Sequence, residues 1–221
     1  MNTKDWLQRW QENRIGFHRN EVHPQLVRYW SHCALAKGCH VFVPLCGKSL
    51  DLLWLGQQGY RVTGVEISPI AVQAFFQENQ LACEVESFGE FQRYRAGTIE
   101  ILCGDFFALQ ADMLPKVQGI YDRAALIALD RDLRQRYVEK LKTLFPTPPA
   151  ILLITLDYPQ QAKSGPPFAV PTAEVETLYQ PEWRLEQLSR RDLRELEKKD
   201  QLPFFEELVF CLQGAGAKQT Q

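Results

Sequence analysis

The stretch Val41–Ser49, VFVPLCGKS, decides the fold class, because a short apolar strand runs directly into a turn and a helix-like segment. HVFVP (40–44) has the composition of a buried strand, while SLDLLWLGQQG (49–59) has apolar residues at helical spacing and a glycine at its end. Together they predict the first strand–helix unit of an α/β sheet. The Gly-Lys-Ser ending raises the question of which nucleotide this turn binds, if any.

The same alternation of strand and helix continues downstream. We predict strands at 60–68, 98–107, 119–129 and 150–158, and helices at 69–80 and 131–145. Two helices are predicted before the first strand, at 3–13 and 23–36, and an extra helical or extended insertion is expected at 83–97. Near the end of the chain, 183–192 and 203–212 are strand-like and close enough in sequence to pair antiparallel.

This order predicts an α/β fold with a mostly parallel sheet and helices on both faces. Closure by an antiparallel C-terminal hairpin is the arrangement of the class I methyltransferases (Rossmann-like), for which we expect seven strands. A chain of 221 residues without repeats or a long linker predicts one domain, 1–221. The tail at about 214–221, GAGAKQTQ, is expected to be disordered.

Composition excludes several classes of function. A formal net charge of −2 argues against nucleic acid as a partner, since phosphate backbones select basic surfaces. No apolar run approaches the roughly 20 residues of a membrane span. The six cysteines have no CxxC spacing, which favours buried thiols in a reducing cytoplasm over a zinc site or disulfides. No metal is expected, and a monomer is the default. The cysteines are Cys33, Cys39, Cys46, Cys83, Cys103 and Cys211.

Two nucleotide-binding motifs fail at the opening stretch. A phosphate-binding P-loop needs a glycine where this chain has Phe42, so Gly47-Lys48-Ser49 supplies only the end of that motif. The dinucleotide fingerprint also fails, because Gly47 has no further glycines at the required spacing. A nucleotide-dependent enzyme that uses the Gly-Lys-Ser turn stays an alternative.

Ligands of an open α/β sheet bind beyond the carboxyl ends of the strands, so the candidate binding residues are those that directly follow each predicted strand. Glu66 ends the second strand at the distance from Gly47 where an acid would bind a ribose diol. Asp105 and Phe106 follow the third strand, where they would flank an adenine ring or serve as a turn residue and a core aromatic. Arg123 follows the fourth strand, and a structural Asp122–Arg123 pair is its alternative.

These motifs are similar to those of one family. VPLCGKSLDLLWL, VTGVEIS, GDFF and YDRAAL, in that order, resemble the thiopurine S-methyltransferase family, as do the start WLQRWQENRIGFH and GPPFAVP (165–171). The resemblance covers nearly the whole chain and is closest to the bacterial branch. It implies S-adenosylmethionine as cofactor, S-adenosylhomocysteine as product, and transfer of a methyl group to aromatic or heterocyclic thiols. For bacterial members it also implies methylation of selenium or tellurium species, as in tellurite resistance.

The resemblance also implies roles for individual residues. It gives Trp10, Leu45, Glu66 and Arg123 as cofactor contacts, with Arg123 also catalytic and at the border of the substrate pocket. Trp6 and Phe17 match aromatic positions near the substrate, in an N-terminal helical lid at about 1–37; a core position is the alternative for Trp6. Gly47, Asp105 and Phe106 complete the cofactor set.

Other polar residues are left out of this set. The late arginines Arg190, Arg191 and Arg194 cannot be matched securely, so none of them is assigned to catalysis. The four histidines (His18, His23, His32 and His40) have no spacing typical of a metal site. A non-catalytic S-adenosylmethionine-binding module is the other alternative function, for which an intact Arg123 would be unneeded.

Overall fold

The computed structural model describes residues 3–196, 199 and 201–216. Within that part of the chain there are six α-helices and nine strands, and no helix is long and apolar enough to cross a membrane. The helices are α1 Thr3–Gln11, α2 Pro24–Tyr29, α3 Asp51–Gln57, α4 Pro69–Glu78, α5 Arg131–Leu144 and α6 Thr172–Tyr179. The strands are β1 His40–Val43, β2 Arg61–Glu66, β3 Glu84–Phe88, β4 Phe91–Ala96, β5 Ile99–Cys103, β6 Gly119–Arg123, β7 Ala150–Asp157, β8 Trp183–Asp192 and β9 Glu206–Gly214.

The chain divides into two compact units. The first contains the described residues up to Arg28 together with Leu35–Ile120, and the second contains Tyr29–Ala34 together with the described residues from Tyr121 onward. Strand β6 begins in the first unit and ends in the second.

The first unit has the strand order β3-β4-β5-β2-β1-β6. Strand β2 runs parallel to both β1 and β5, and β6 begins parallel to β1. The register sets Val41 opposite Val62, and Val62 opposite Ile99, and all three side chains are buried. Because these strands are parallel, their carboxyl ends meet at one edge, where Glu66 is opposite Cys103. This confirms the predicted parallel core.

The predicted number of seven strands is too low by two. Residues 83–97 form the antiparallel hairpin β3–β4, and β4 also pairs antiparallel with β5. Gly89, with φ of 59°, lies in the turn, and an Arg93–Glu86 ion pair of 3.1 Å joins the two strands. The insertion is therefore extended, the second of the two forms expected from the sequence.

The second unit has the strand order β6-β7-β9-β8, with β9 antiparallel to both β7 and β8. The predicted antiparallel C-terminal pair is therefore confirmed. Its last strand extends to Gly214, where an added Cβ would lie 2.6 Å from the carbonyl oxygen of Pro148. Gly214 is therefore part of β9, residues 217–221 lie outside the described residues, and disorder of the tail stays a prediction.

Two helices differ from the sequence expectation. The helix predicted over 23–36 ends at Tyr29, and a 3-10 turn at Trp30–Cys33 follows and stops at Ala34, whose φ is 51°. Helix α6 follows Pro171 and was not predicted, since its eight residues carry little periodic signal between two proline-rich segments.

Candidate active site

The turn after β1 has an unusual backbone. Leu45 and Gly47 both have positive φ values, 46° and 55°. The left-handed conformation costs a residue with a side chain roughly 1–2 kcal/mol, whereas glycine adopts it freely. The N–H of Cys46 donates to the carbonyl oxygen of Val65 at 3.0 Å, which ties this turn to β2. The single glycine of VFVPLCGKS is therefore at a position where the backbone needs it.

Glu66 connects this turn to the start of α4. Its Oε2 accepts a hydrogen bond of 2.9 Å from the N–H of Gly47, and its Oε1 accepts one of 2.9 Å from the N–H of Ser68. Its own carbonyl oxygen accepts from the N–H of Gly104 at 2.9 Å, just beyond β5. Glu66 thus lies at the point where three segments of the carboxyl edge meet.

The carboxyl group of Glu66 is buried, with 4% of the residue exposed. Burial raises its pKa above the usual value, while the backbone N–H groups of Ser68, Gly47 and Ile67 act in the opposite direction. A carboxylate has about four lone-pair positions, and the N–H groups of Gly47, Ser68 and Ile67 all donate to this one. The acceptor capacity that is left can serve a hydroxyl donor.

The predicted N-terminal aromatic residues form a cluster beside the same turn. The ring of Phe17 makes edge-on contacts with the indoles of Trp6 and Trp10, at centroid distances of 5.6 and 5.5 Å. Trp10 is buried and packs against Gly47, where an added Cβ would lie 3.2 Å from the indole Cζ2. The structure therefore brings Trp6, Trp10 and Phe17 together with Gly47 and, through Gly47, with Glu66.

The residues after β5 divide between surface and core. Asp105 is exposed, and its Oδ1 accepts from the N–H of Phe107 at 2.9 Å, which caps a short 3-10 turn. The ring of Phe106 is buried and stacks with Phe42 at 6.4 Å. The neighbouring Phe107 is half-buried. The adenine contacts of Asp105 and Phe106 stay predictions, and sequence reasoning passed over Phe107.

Arg123 lies in the second unit as the last residue of β6, and it is half-buried. Its neighbour Asp122 is completely buried and accepts hydrogen bonds from the N–H of Leu126, at 3.1 Å, and from the hydroxyl of Tyr137, at 2.6 Å. Burial raises the pKa of Asp122 to about 6 despite these donors. The hydrogen bond between Tyr137 and Asp122 could not be predicted from local sequence patterns, because fifteen residues separate the two.

Two of the three late arginines are engaged with acids. Arg190 pairs with Glu206 and lies 3.8 Å from a carboxylate oxygen of Asp157. Arg194 donates to both carboxylate oxygens of Asp192.

In the Gly-Lys-Ser turn, the groups that a phosphate-binding loop would offer to a phosphate already have partners within the protein. The N–H of Gly47 points to Glu66, and the ammonium of Lys48 pairs with Glu78 at 2.6 Å. The hydroxyl of Ser49 accepts from the N–H of Asp51, so the helix begins two residues after the serine. An acidic side chain in the position of a phosphate disfavours a triphosphate at this turn. Among the described residues no three His, Cys, Asp or Glu side chains form a metal-binding group.

A parallel core with a buried acid at the end of β2, together with antiparallel C-terminal strands, is the arrangement of the class I methyltransferase fold. Solved structures share this fold. One is an S-adenosylmethionine-dependent methyltransferase from Anabaena variabilis, with a TM-score of 0.65 at 16% identity over 97% of this chain and 96% of that one. Another is the 1,6-didemethyltoxoflavin-N1-methyltransferase of Burkholderia thailandensis, with a TM-score of 0.61 at 13% identity over 96% and 87%.

The chain belongs to the thiopurine S-methyltransferase family, whose model matches residues 1–214. It is 49% identical over 193 residues to the thiopurine S-methyltransferase of Pseudomonas aeruginosa, which covers 87% of this chain and 88% of that relative. The family and the bacterial relative expected from VPLCGKSLDLLWL and YDRAAL are therefore confirmed.

Proposed function

We propose that this protein transfers a methyl group from S-adenosylmethionine to the sulfur of small aromatic or heterocyclic thiols. The observation that carries the proposal is membership of the thiopurine S-methyltransferase family over residues 1–214. The family match also spans the chain in one piece, which supports the proposal that 1–221 works as a single methyltransferase domain.

The residues of the first unit fit this cofactor. The Glu66 carboxylate keeps acceptor capacity for a ribose hydroxyl, beside a turn whose residues Leu45 and Gly47 are in the left-handed conformation. We propose that Glu66 binds the ribose and that Leu45 and Gly47 contact the adenosyl group. Asp105 and Phe106 complete the proposed contacts, through the adenine.

The N-terminal aromatic cluster suits the sulfonium end of the cofactor and the substrate. Indole faces attract a cation by roughly 0.5–2 kcal/mol, according to how far it is removed from water. We propose that Trp10 contacts the cofactor while Trp6 and Phe17 border the thiol, and that this segment, within about 1–37, covers the site as a lid. Packing of Trp10 on Gly47 supports that placement.

The chemistry needs little acid or base assistance. S-adenosylmethionine supplies an electrophilic methyl group when bound. The chain orients the thiol for in-line attack and excludes water, and such positioning can lower a barrier by several kcal/mol, up to about 7–11. An aryl thiol ionises readily near neutral pH, so Arg123 is proposed to stabilise the thiolate or to bind a ring nitrogen. A catalytic Cys-His or Ser-His-Asp arrangement is therefore not required.

We also propose that the protein lies in the cytoplasm and acts on a small molecule. Six free cysteines, three of them buried, favour a reducing cytoplasm. A net charge of −2 favours a small-molecule partner over nucleic acid, and we propose a monomer. Transfer to selenium or tellurium stays a prediction from the family resemblance.

The test is transfer of a radiolabelled methyl group from S-adenosylmethionine to a thiopurine. We expect wild-type transfer, retained in a control Arg131→Ala with an exposed arginine, and a loss of at least tenfold in turnover for Arg123→Ala, with S-adenosylhomocysteine still bound. Cofactor binding without transfer in the wild type would indicate a binding module. A thermal shift by ATP or NAD, with none by S-adenosylhomocysteine, would indicate a nucleotide-dependent enzyme.

A further inference from the structure

Asp122 and Arg123 are adjacent in sequence, but they lie on opposite faces of β6. Asp122 precedes Arg123 on β6, and successive residues of a strand point to opposite faces. In agreement with this alternation, Asp122 is fully buried while Arg123 is half-buried. Asp122 can therefore act on Arg123 through the backbone that they share.

The Asp122 carboxylate holds the turn that follows β6. Its Oδ1 accepts the N–H of Leu126 at 3.1 Å, and the N–H of Ala125 also donates to this carboxylate. Its Oδ2 accepts the hydroxyl of Tyr137, from the middle of α5, at 2.6 Å. Both Asp122 and Tyr137 have no exposed surface. One side chain thus joins the end of β6, the turn after it and a buried helix face.

This turn contains a backbone conformation that needs such support. Ala124, directly after Arg123, has φ of 64°, which is unfavourable for a residue with a Cβ. A strained conformation persists only where its surroundings over-determine it, and strain of this kind clusters at functional sites. The bonds from Ala125 and Leu126 to Asp122 span the strained residue.

We propose that Asp122 and Tyr137 are positioning residues that fix the backbone of the 123–126 turn and thereby the direction of the Arg123 side chain. This inference rests on the proposed function, in which Arg123 acts on the thiol. Burial raises the pKa of Asp122 to about 6, so the fold holds this carboxyl group in surroundings that disfavour its charge. A carboxyl group whose pKa is perturbed in this way is typical of functional sites.

The test compares Asp122→Ala, Asp122→Asn and Tyr137→Phe in the full chain. Asparagine keeps an oxygen for the turn N–H groups, so it should keep turnover within about threefold, whereas alanine should lower kcat at least tenfold with KM for S-adenosylmethionine unchanged. Tyr137→Phe removes the hydroxyl that holds Oδ2 and leaves the bonds from the turn N–H groups in place, so it should lower kcat less than Asp122→Ala does, with KM for S-adenosylmethionine unchanged.

A second readout does not depend on activity. Amide exchange of Leu126 and the Arg123 Nε resonance, measured by NMR, should change in Asp122→Ala and stay near wild type in Asp122→Asn. Unchanged exchange and resonance in Asp122→Ala, or wild-type kcat in that variant, would overturn the proposal. If the wild type transfers no methyl group, the proposed function fails, and the exchange and resonance data alone decide whether Asp122 positions Arg123.

Discussion

Glu66 shows how one buried carboxylate can organise a turn and still bind a ligand. Its two oxygens accept the N–H groups of Gly47, in the turn before α3, and of Ser68, the N-cap of α4. These bonds keep the carboxyl group in one orientation, so its remaining lone pairs face a fixed direction. A ribose diol bound there would meet an acceptor that needs no reorganisation.

Replacing Glu66 by alanine should weaken binding of S-adenosylhomocysteine by on the order of tenfold to a hundredfold, since each hydrogen bond to a charged group contributes roughly 1.5–3 kcal/mol. Isothermal titration calorimetry measures this change. Lys48→Ala is the matched control, because it removes an exposed ion pair with Glu78 from the same turn. Wild-type affinity in Glu66→Ala would refute the ribose assignment, and an equal loss in Lys48→Ala would show that the effect is not specific to the Glu66 carboxylate.

At the scale of elements, α1 and the turn after β1 are coupled by contact. Trp10 of α1 packs against Gly47, and Phe17 lies between Trp10 and Trp6. A change in the turn must therefore reach the aromatic cluster. The chain offers a glycine pair that tests this coupling, because Gly16 has no atom within 4 Å of an added Cβ.

Gly47→Ala should displace the Trp10 ring, since the new Cβ would lie 3.2 Å from Cζ2 at a φ of 55°. With 5-fluorotryptophan incorporated, we expect a shifted Trp10 resonance and at least tenfold weaker binding of S-adenosylhomocysteine. Gly16→Ala should change neither. Adding S-adenosylhomocysteine to the wild type should also slow hydrogen exchange over residues 3–17, and unchanged exchange there would count against a lid.

The elements also show which parts of the fold the sequence could predict. Buried parallel strands such as β1 and β2 carry continuous apolar runs, so their positions and their terminal residue Glu66 were predictable. Strands β3 and β4 were not, because β3 is largely exposed and its conformation depends on pairing with β4. The bond from Gly47 to Glu66 spans nineteen residues, and local patterns hold no information on such a contact.

In the part of the chain that the structure describes, buried carboxyl groups lie at or next to the carboxyl ends of β2 and β6, Glu66 in the first unit and Asp122 in the second. Burial is the largest effect on both, and it raises both pKa values. A carboxyl group whose pKa is raised by folding stabilises the native state fully below its unfolded pKa. That contribution is lost as the pH rises through the folded pKa. The free energy of unfolding should therefore contain terms that decrease from acid to neutral pH.

Asp122 makes this expectation quantitative. Its pKa rises from 3.8 to about 6, so ionising it in the folded protein should cost about 2 kcal/mol of stability between pH 4 and pH 7.5. Asp122→Asn removes this titration and leaves Glu66 in place. Urea unfolding measures the free energy of unfolding of both proteins across that range. The value for the wild type minus the value for Asp122→Asn should fall by about this amount as the pH rises, most steeply between about pH 4 and pH 6. A difference that stays constant, or that grows with pH, would show that Asp122 is not held as a buried carboxylate with a raised pKa, and it would remove the energetic support for its positioning of Arg123.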